Sequence, residues 1–365
     1  MMRQAERVTR ISKRVMWTSK SLTFIPSYLT VVTVTSLLLL NGVPNILAQS
    51  KYVASFLEIP VGARALGMGD AYVSLADDGT AFHYNPAGTA LINSDVLSMM
   101  YSSQYGSLLT PLADFYFAGY AQKIQDLNVS VDWVRLSVDN IPSEPDISEL
   151  DPAQREYYVK HSSDNGTFGS ADDAIYLNIS RLYDFDIDFG WLFFKIPVQF
   201  PIGINFKYIH RLLSGRAASG IGLDGGFMLR FPIGSKEGSH GFGILSFGMN
   251  VRDITNTRIA WDTQTNETIP RSVLWGLSYD LPISFLQGDA VFSFNRDSRY
   301  GDLLFGGEYI YDKLLSVRLG SDASNLTAGA GIELSFMRVD YAFLGQSLGN
   351  VNRVSASFYL DRILK

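Results

Sequence analysis

The chain has 365 residues, with a net charge of −6 and no cysteine. Its acidic balance argues against a nucleic-acid-binding protein, which needs a basic face, and the missing cysteine excludes disulfides and thiolate chemistry. Only 18% of the residues are charged, against about 25% in a typical soluble domain, and 13% are aromatic. This balance indicates a chain in which one face of many strands meets lipid.

The first 48 residues have the features of a secretory signal peptide. Six basic residues precede an apolar run from Tyr28 to Leu40, and a break at Asn41 and Pro44 leads to Ala48. A membrane anchor is the alternative, but the run of about 13 residues is shorter than the roughly 20 that span a bilayer as a helix. We expect cleavage near Ala48, and therefore export.

Residues 49–94 show no alternation of polar and apolar positions. Gly62, Gly67 and Gly69 allow tight turns, and Asp77 or Asp78 is suited to cap a short helix that ends before Asn85-Pro86. A compact irregular segment ahead of a barrel is well placed to fold into the lumen. The sequence therefore predicts an N-terminal hatch, or plug, over 49–94.

From residue 95 the chain alternates with a period of two, which predicts β-strands. In 273–281, for example, Val273, Trp275, Leu277, Tyr279 and Leu281 share one face. Fourteen such segments are present, an even number as in bacterial single-chain barrels. They lie near 95–105, 112–122, 126–138, 174–183, 200–213, 218–231, 240–251, 271–281, 287–296, 301–311, 313–320, 326–336, 337–344 and 350–360.

The connections between these segments support the same interpretation. The longest, 139–173 and 252–270, both follow odd-numbered strands, as the external loops of an outer-membrane barrel do. The exception is 184–199, within which 186–196 is a possible extra strand. A soluble β-sandwich or propeller would also alternate, but here aromatic residues crowd the strand ends. We predict an all-β fold: a 14-stranded antiparallel transmembrane β-barrel over 95–365, in the outer membrane.

Both ends of the mature chain resemble the PorV/PorQ family, a branch of the FadL-like outer-membrane proteins. The N-terminal matches are Pro60, Gly62, Ala63, Arg64, Ala65, Gly67, Met68, Gly69, Ala71, Tyr72, Asp78, Asn85, Pro86, Ala87 and Gly88. The C-terminal matches, in what resembles the family's closing hairpin, are Asp340, Tyr341, Ala342, Leu348, Gly349, Arg353 and Ser355. The resemblance implies a fourteen-stranded barrel with an N-terminal hatch that carries the Asn-Pro-Ala turn.

The candidate site residues follow from these matches. In the hatch they are Arg64, Gly67, Met68, Gly69, Asp78, Asn85, Pro86, Ala87 and Gly88, and in the closing hairpin Asp340, Tyr341, Gly349 and Arg353. An unpaired charge inside a barrel is costly, so we expect Arg64 to pair with Asp78, or with a wall acid such as Asp340 or Glu333. Asn85-Pro86 should fix the turn that seats the hatch.

Motifs for catalysis or metal binding are weak. Gly220, Gly222 and Gly225 fit G-x-G-x-x-G, but a strand follows them where a dinucleotide site needs a helix. Asp184, Asp186 and Asp188 alternate, which fits either a calcium site or a solvated face. The four histidines are scattered, without the spacing of a zinc site. We predict no enzyme, no metal and no cofactor.

Two functions stay open within the barrel class. Some PorV/PorQ members act in type IX protein secretion, and the acidic loop 139–173 would suit docking of secretion-system or secreted proteins. The FadL-like relatives pass hydrophobic small molecules, which makes a gated channel the alternative. The resemblance favours the secretion accessory. In either case we expect outer-membrane lipid as a partner and no nucleic acid. A hydrophobic small molecule, or a lipid inside the barrel, would fit the channel.

Overall fold

A computed structural model describes residues 53–106, 110–143, 150–161, 166–188, 190, 195–234, 241–323, 325–346 and 349–363. The predicted signal peptide, 1–48, lies outside the described residues. Within them, no helix is both long and apolar enough to cross a bilayer.

Sixteen strands dominate the described residues. They are β1 Val96–Gly106, β2 Pro111–Ile124, β3 Leu127–Pro142, β4 Thr167–Asp188, β5 Lys195–Leu213, β6 Arg216–Ile233, β7 Gly243–Arg252, β8 Thr257–Trp261, β9 Asn266–Ile269, β10 Ser272–Ile283, β11 Gly288–Asp297, β12 Leu303–Tyr311, β13 Leu315–Asp322, β14 Asn325–Glu333, β15 Met337–Leu344 and β16 Val351–Tyr359.

Fourteen of these strands close into a barrel. Each pairs antiparallel with its neighbours along the chain, β7 pairs with β10, and the ladder between β1 and β16 closes the cylinder. The remaining two, β8 and β9, form a hairpin whose first strand pairs with the start of β6. The predicted all-β, 14-stranded antiparallel barrel is confirmed, and the hairpin is an element that the sequence reading missed.

Successive residues of each barrel strand alternate between two environments. In β14, Leu326 is 79% exposed on the outer face, whereas its neighbour Thr327 is 2% exposed and faces the lumen. In β10, Leu277 points outward and Ser278 inward, as the period of two predicts. An apolar outer face with a polar lumen is the arrangement of a barrel that spans a lipid bilayer.

The interpretation of 184–199 as a long connection, with a possible extra strand at 186–196, was wrong. β4 runs on to Asp188 and β5 begins at Lys195, and these two residues pair in one continuous ladder. Asp184, Asp186 and Asp188, which fitted either a calcium site or a solvated face, are exposed side chains of the extended strand β4. They form no metal-binding group among the described residues.

The connections differ between the two ends of the barrel. The turn end carries short links such as 125–126 and 312–314, and the loop end carries 143–166 and 253–271. The first of these loops holds a helix, Pro152–Lys160, which begins with a capping box at Asp151. The second holds the β8–β9 hairpin. As predicted, the two longest connections follow odd-numbered strands of the barrel and lie at the same end.

Candidate functional site

Residues 53–93, here called the N-terminal segment, lie among the inward-facing side chains of the wall. The segment consists of short helical turns, Ser55–Glu58, Ala63–Gly67, Ala81–Tyr84 and Pro86–Leu91. Gly62 and Gly69 connect them with positive φ angles of 90° and 62°, which favour glycine. Most of its side chains are buried, including Met68 and Tyr72 at 0% exposure.

Inward-facing glycines let the backbone of this segment touch the wall. A Cβ atom added to Gly248 would overlap the carbonyl oxygen of Val73, and one added to Gly306 would overlap that of Met68. On the segment's side, a Cβ on Gly67 would lie 3.2 Å from the Cα of Gly329. Here the two backbones meet without side chains between them, which gives Gly67 and Gly69 of the sequence signature a packing role.

Five asparagines on different strands hydrogen-bond the carbonyl groups of the segment. Asn128 donates to the carbonyl oxygens of Thr89 and Ile92 at 2.9 and 2.6 Å. The other four donors and their carbonyl acceptors are Asn178 to Pro86, Asn205 to Phe82, Asn250 to Tyr84 and Asn295 to Asp70. These five side chains, the asparagine belt, satisfy carbonyls that a short irregular segment cannot satisfy by itself.

The Asn85-Pro86 turn is fastened from both sides. The Asn85 amide donates to the carbonyl oxygens of Val73, 3.0 Å away in the segment, and Phe227, 3.1 Å away in the wall. Its oxygen accepts from the Ala87 amide at 3.1 Å and caps the turn that Pro86 begins. Gly88 packs against the carbonyl of Ala76, where a Cβ would clash.

An ion cluster joins the segment to the wall at the turn end. The Arg64 guanidinium lies 2.6 Å from Asp77, 3.7 Å from Asp78 and 2.9 Å from Glu308 of β12. The expected partner Asp78 is therefore present, but the wall partner is Glu308 and not Asp340 or Glu333. Burial by itself raises the pKa of Asp78, but the Arg64 charge and hydrogen bonds from Thr80 and Tyr72 hold that pKa below its usual value.

The same cluster continues through the wall. Glu308 also lies 2.7 Å from Arg318, and both side chains have 0% exposure. Arg318 contacts Asp340 at 2.8 Å, and Asp340 contacts Arg338 at 2.9 Å. Asp340 thus holds the wall arginines in place, one step removed from the segment.

A second cluster lies at the loop end. Glu58 of the segment pairs with Arg252, at 3.4 Å, and with Arg299. Beside it, the Lys207 ammonium lies 2.8 Å from Asp224 and 2.7 Å from Asp253, and all three side chains are at most 5% exposed. The segment is therefore held by charges near both ends of the barrel.

An apolar cluster fills the space near the loop-end charges. Phe82 packs against Phe117 and Tyr176, with ring centroids 5.5 and 4.9 Å apart. Phe56 of the segment and Ile259 of the β8–β9 hairpin belong to the same cluster. At the turn end lies a cavity of about 460 Å³ with a mixed lining, in which charged residues such as Arg64, Asp77 and Arg338 stand beside apolar ones such as Ile92, Val96 and Ile310.

The four candidate residues of the closing hairpin do not form one site. Asp340 joins the turn-end cluster, whereas Tyr341 is 42% exposed on the outer face. Gly349 lies in the connection between β15 and β16 with a φ of 130°. Arg353 is 1% exposed in the lumen, and no acceptor among the described residues hydrogen-bonds its Nε and Nη1 atoms.

Sequence reasoning missed the asparagine belt, Glu58, Lys207 and Glu308. A signal for the belt was present: asparagine is depleted in strands, yet each of the five occupies an inward position of one. The charged partners carried no such signal, because isolated charges are expected throughout a wet lumen.

No protein-family model and no curated protein matches this chain. Among solved structures, the toluene transporter TbuX of Ralstonia pickettii is 11% identical with a TM-score of 0.43, and the match covers 81% of this chain and 96% of that one. Outer membrane protein Omp33 of Acinetobacter baumannii is 10% identical, with a TM-score of 0.26 and coverage of 73% and 97%. OccK1 of Pseudomonas aeruginosa is 10% identical, with a TM-score of 0.27 and the same coverage.

The class of protein follows from the structure itself. A closed wall of fourteen strands, an apolar outer face, a polar lumen and short turns at one end define an outer-membrane β-barrel. The resemblance to PorV/PorQ stays a prediction.

Proposed function

We propose that the protein is a gated channel and that the N-terminal segment is its hatch. The observation that carries this proposal is the way in which the segment is held. Among the described residues, every hydrogen bond and ion pair between the segment and the wall involves a side chain, and no strand pairing joins the two. A segment held in this way is able to leave its seat without breaking a β-ladder.

The hydrogen bonds between wall strands and those that hold the segment differ in whether water can replace them. A ladder between strands is lost only when backbone groups are left unpaired in lipid, at a cost of several kcal/mol each. A side-chain hydrogen bond in a wet lumen exchanges for a bond to water, and a typical one contributes about 0.5–1.5 kcal/mol net. The wall therefore stays closed while the segment moves, which is the mechanical requirement for a gate.

The cargo that suits this lumen is a small molecule with an apolar body. The apolar cluster around Phe56, Phe82 and Tyr176 offers rings at the loop end, and the cavity with charged and apolar lining residues lies against the segment at the turn end. A compound that displaces the Phe82 contacts would enter between the segment and the wall. The arrangement supports passage of hydrophobic small molecules, with the hatch as the barrier.

The test uses the turn that seats the segment. Replacing Asn85 by Gly and Pro86 by Ala removes the bonds to Val73, Phe227 and Ala87 and the fixed φ of proline. In planar-bilayer recordings we expect larger or more frequent openings than in the wild type, with unchanged heat-dependent gel mobility. Asn266→Gly, at an exposed position of the β8–β9 hairpin, is the matched control. Unchanged conductance, with residues 53–93 freely cleaved by added protease in intact vesicles, would mean that this segment is not a plug.

A secretion accessory is the second candidate, and one observation favours it. The helix Pro152–Lys160 in the long loop has no buried residue, and Tyr157 and Val159 are 60% and 63% exposed. Exposed apolar side chains on a helix at the loop end suit docking of secretion-system or secreted proteins. If docking is the function, Tyr157→Ser with Val159→Ser should abolish co-purification of partners from outer membranes, while the Asn85→Gly, Pro86→Ala variant should not.

A further inference from the structure

A groove of about 710 Å³ runs along the outer wall across β4, β5 and β6. Outward-facing apolar side chains line it, including Ile179, Ile202, Ile204 and Phe227. Ile202 and Ile204 are 37% and 41% exposed, and they belong to the face that meets lipid. The groove is therefore a depression in the lipid-facing surface, and an acyl chain is the natural occupant of such a surface.

A glycine lies on the floor of this depression. Gly225 faces outward on β6, and a Cβ atom there would lie 3.3 Å from the end of the Ile254 side chain and 4.0 Å from Ile204. Most outward positions of the neighbouring strands carry a large side chain, so Gly225 leaves the floor of the groove low. A larger residue at this position would fill it.

One arginine at the edge of the groove has no counter-ion. Arg271 is exposed, and no carboxylate of the described residues lies within 4.0 Å of its side chain. Arg181, the other arginine of the groove, is already engaged: it lies 3.2 Å from Asp126 and over the Tyr183 ring. The free guanidinium beside an apolar groove matches a molecule that has an anionic head and an apolar chain.

We propose that this groove is a binding site for one anionic phospholipid, with an acyl chain over Gly225 and the phosphate on Arg271. Guanidinium groups bind phosphate through paired hydrogen bonds, and basic residues at a membrane surface attract anionic lipid. The surrounding bilayer supplies the ligand. The site is on the outside of the wall and does not depend on whether the lumen acts as a channel.

The test is native mass spectrometry of the full chain, released from micelles that contain equal amounts of phosphatidylglycerol and phosphatidylcholine with the same acyl chains. The wild type should retain one phosphatidylglycerol with about fivefold preference over phosphatidylcholine. One basic residue near a membrane surface strengthens the binding of an anionic lipid by about that factor. Arg271→Gln should reduce the preference to none. Gly225→Leu should reduce retention of both lipids.

Arg216→Gln is the control, because Arg216 is exposed at the β5–β6 turn and does not line the groove. It should behave as the wild type. Equal retention of phosphatidylglycerol by the wild type and Arg271→Gln would overturn the proposal, and so would an equal loss in Arg216→Gln, which would indicate unspecific charge attraction. Arg271 lies on an exposed connection, so its variant should fold even if Gly225→Leu does not.

Discussion

The wall and the N-terminal segment satisfy their backbone hydrogen-bonding groups in opposite ways. In the wall, fourteen strands satisfy one another's backbone groups, and side chains only decide which face meets lipid. In the segment, short helical turns leave carbonyls unsatisfied, and side chains of the wall, such as Asn128 and Asn205, supply the donors. The wall is therefore tolerant of side-chain changes that keep its faces, whereas the segment depends on individual side chains.

Because of this difference, substitutions in the two regions should have two distinct effects. A change on the outer face acts on assembly of the barrel, and a change on the inner face acts on the seat of the segment. Heat-dependent gel mobility measures the first, and protease access to residues 53–93 in intact vesicles measures the second.

The largest effect on the segment is expected for Glu308→Gln. The Glu308 side chain is 0% exposed and is shared by Arg64, Arg318 and Arg338, at 2.9, 2.7 and 3.5 Å. Its neutralisation leaves these three guanidinium groups without their common carboxylate, at a cost of about 3–5 kcal/mol. Protease access to the segment should rise sharply. The control is Glu156→Gln, which breaks an exposed pair with Lys160 and should cost at most about 0.5 kcal/mol. Equal protection in both variants would contradict the prediction.

The next effect concerns the wall. Leu277→Arg places a charge on the lipid face at the centre of β10, at a cost of about 2–4 kcal/mol, and should reduce the heat-modifiable, folded fraction. Ser278→Arg is its neighbour on the inner face, where the native hydroxyl lies 3.3 Å from the carbonyl of Ser74. That variant should assemble but expose the segment to protease. Normal assembly of Leu277→Arg would refute the register.

A smaller effect is expected for one member of the asparagine belt. Asn128→Ala leaves the carbonyls of Thr89 and Ile92 without their donor, at a cost of about 1–3 kcal/mol. Protease should cut the segment moderately faster, with gel mobility unchanged. Asn93→Ala is the control, because among the described residues the side chain of the exposed Asn93 hydrogen-bonds only to the carbonyl of its near neighbour Leu91. Equal rates of cleavage for the two variants would show that the belt does not hold the segment.

The fold could be predicted from the sequence because contact with lipid requires an apolar residue at every second position of each strand. Every strand of the barrel must present apolar residues with a period of two, so all fourteen appear in the sequence. The extension of β4 to Asp188 was missed although its acids still alternate with apolar residues, because side chains on both faces of Asp184–Asp188 are exposed and no buried face marks the strand. The β8–β9 hairpin was missed because its strands are only five and four residues long.

The seat of the segment could be predicted only in part. The alternation shows that Glu308 faces the lumen, but not which of several luminal acids meets Arg64, 244 residues earlier in the chain. That choice depends on where a segment without periodicity crosses the wall. Asn85 was easier, because its capping bond to Ala87 is local and its residue type is typical of such turns.

The smallest effect is expected from pH, because two groups of the segment act in opposite directions. Burial, with a contribution from Asp322, raises the pKa of Asp70 to about 7, despite a hydrogen bond from Tyr84. A seated Asp70 therefore keeps its proton, and seating weakens as pH rises from about 4 to 7. Burial, with the charges of Arg252, Arg353 and Lys207, lowers the pKa of His83 well below its usual value. A seated His83 stays neutral, and seating weakens as pH falls below about 6.5.

Between about pH 4.5 and 6.5 the two contributions oppose each other, so wild-type protease access should change little. Single variants should separate them. In Asp70→Asn only the histidine contribution remains, and access should increase as pH falls. In His83→Gln only the carboxyl contribution remains, and access should increase as pH rises. Each change is at most about tenfold per pH unit, the limit for one proton. The comparison needs a protease active over this range, with Asn93→Ala as the control. If both variants respond to pH in the same direction, the two groups do not titrate with the seating of the segment.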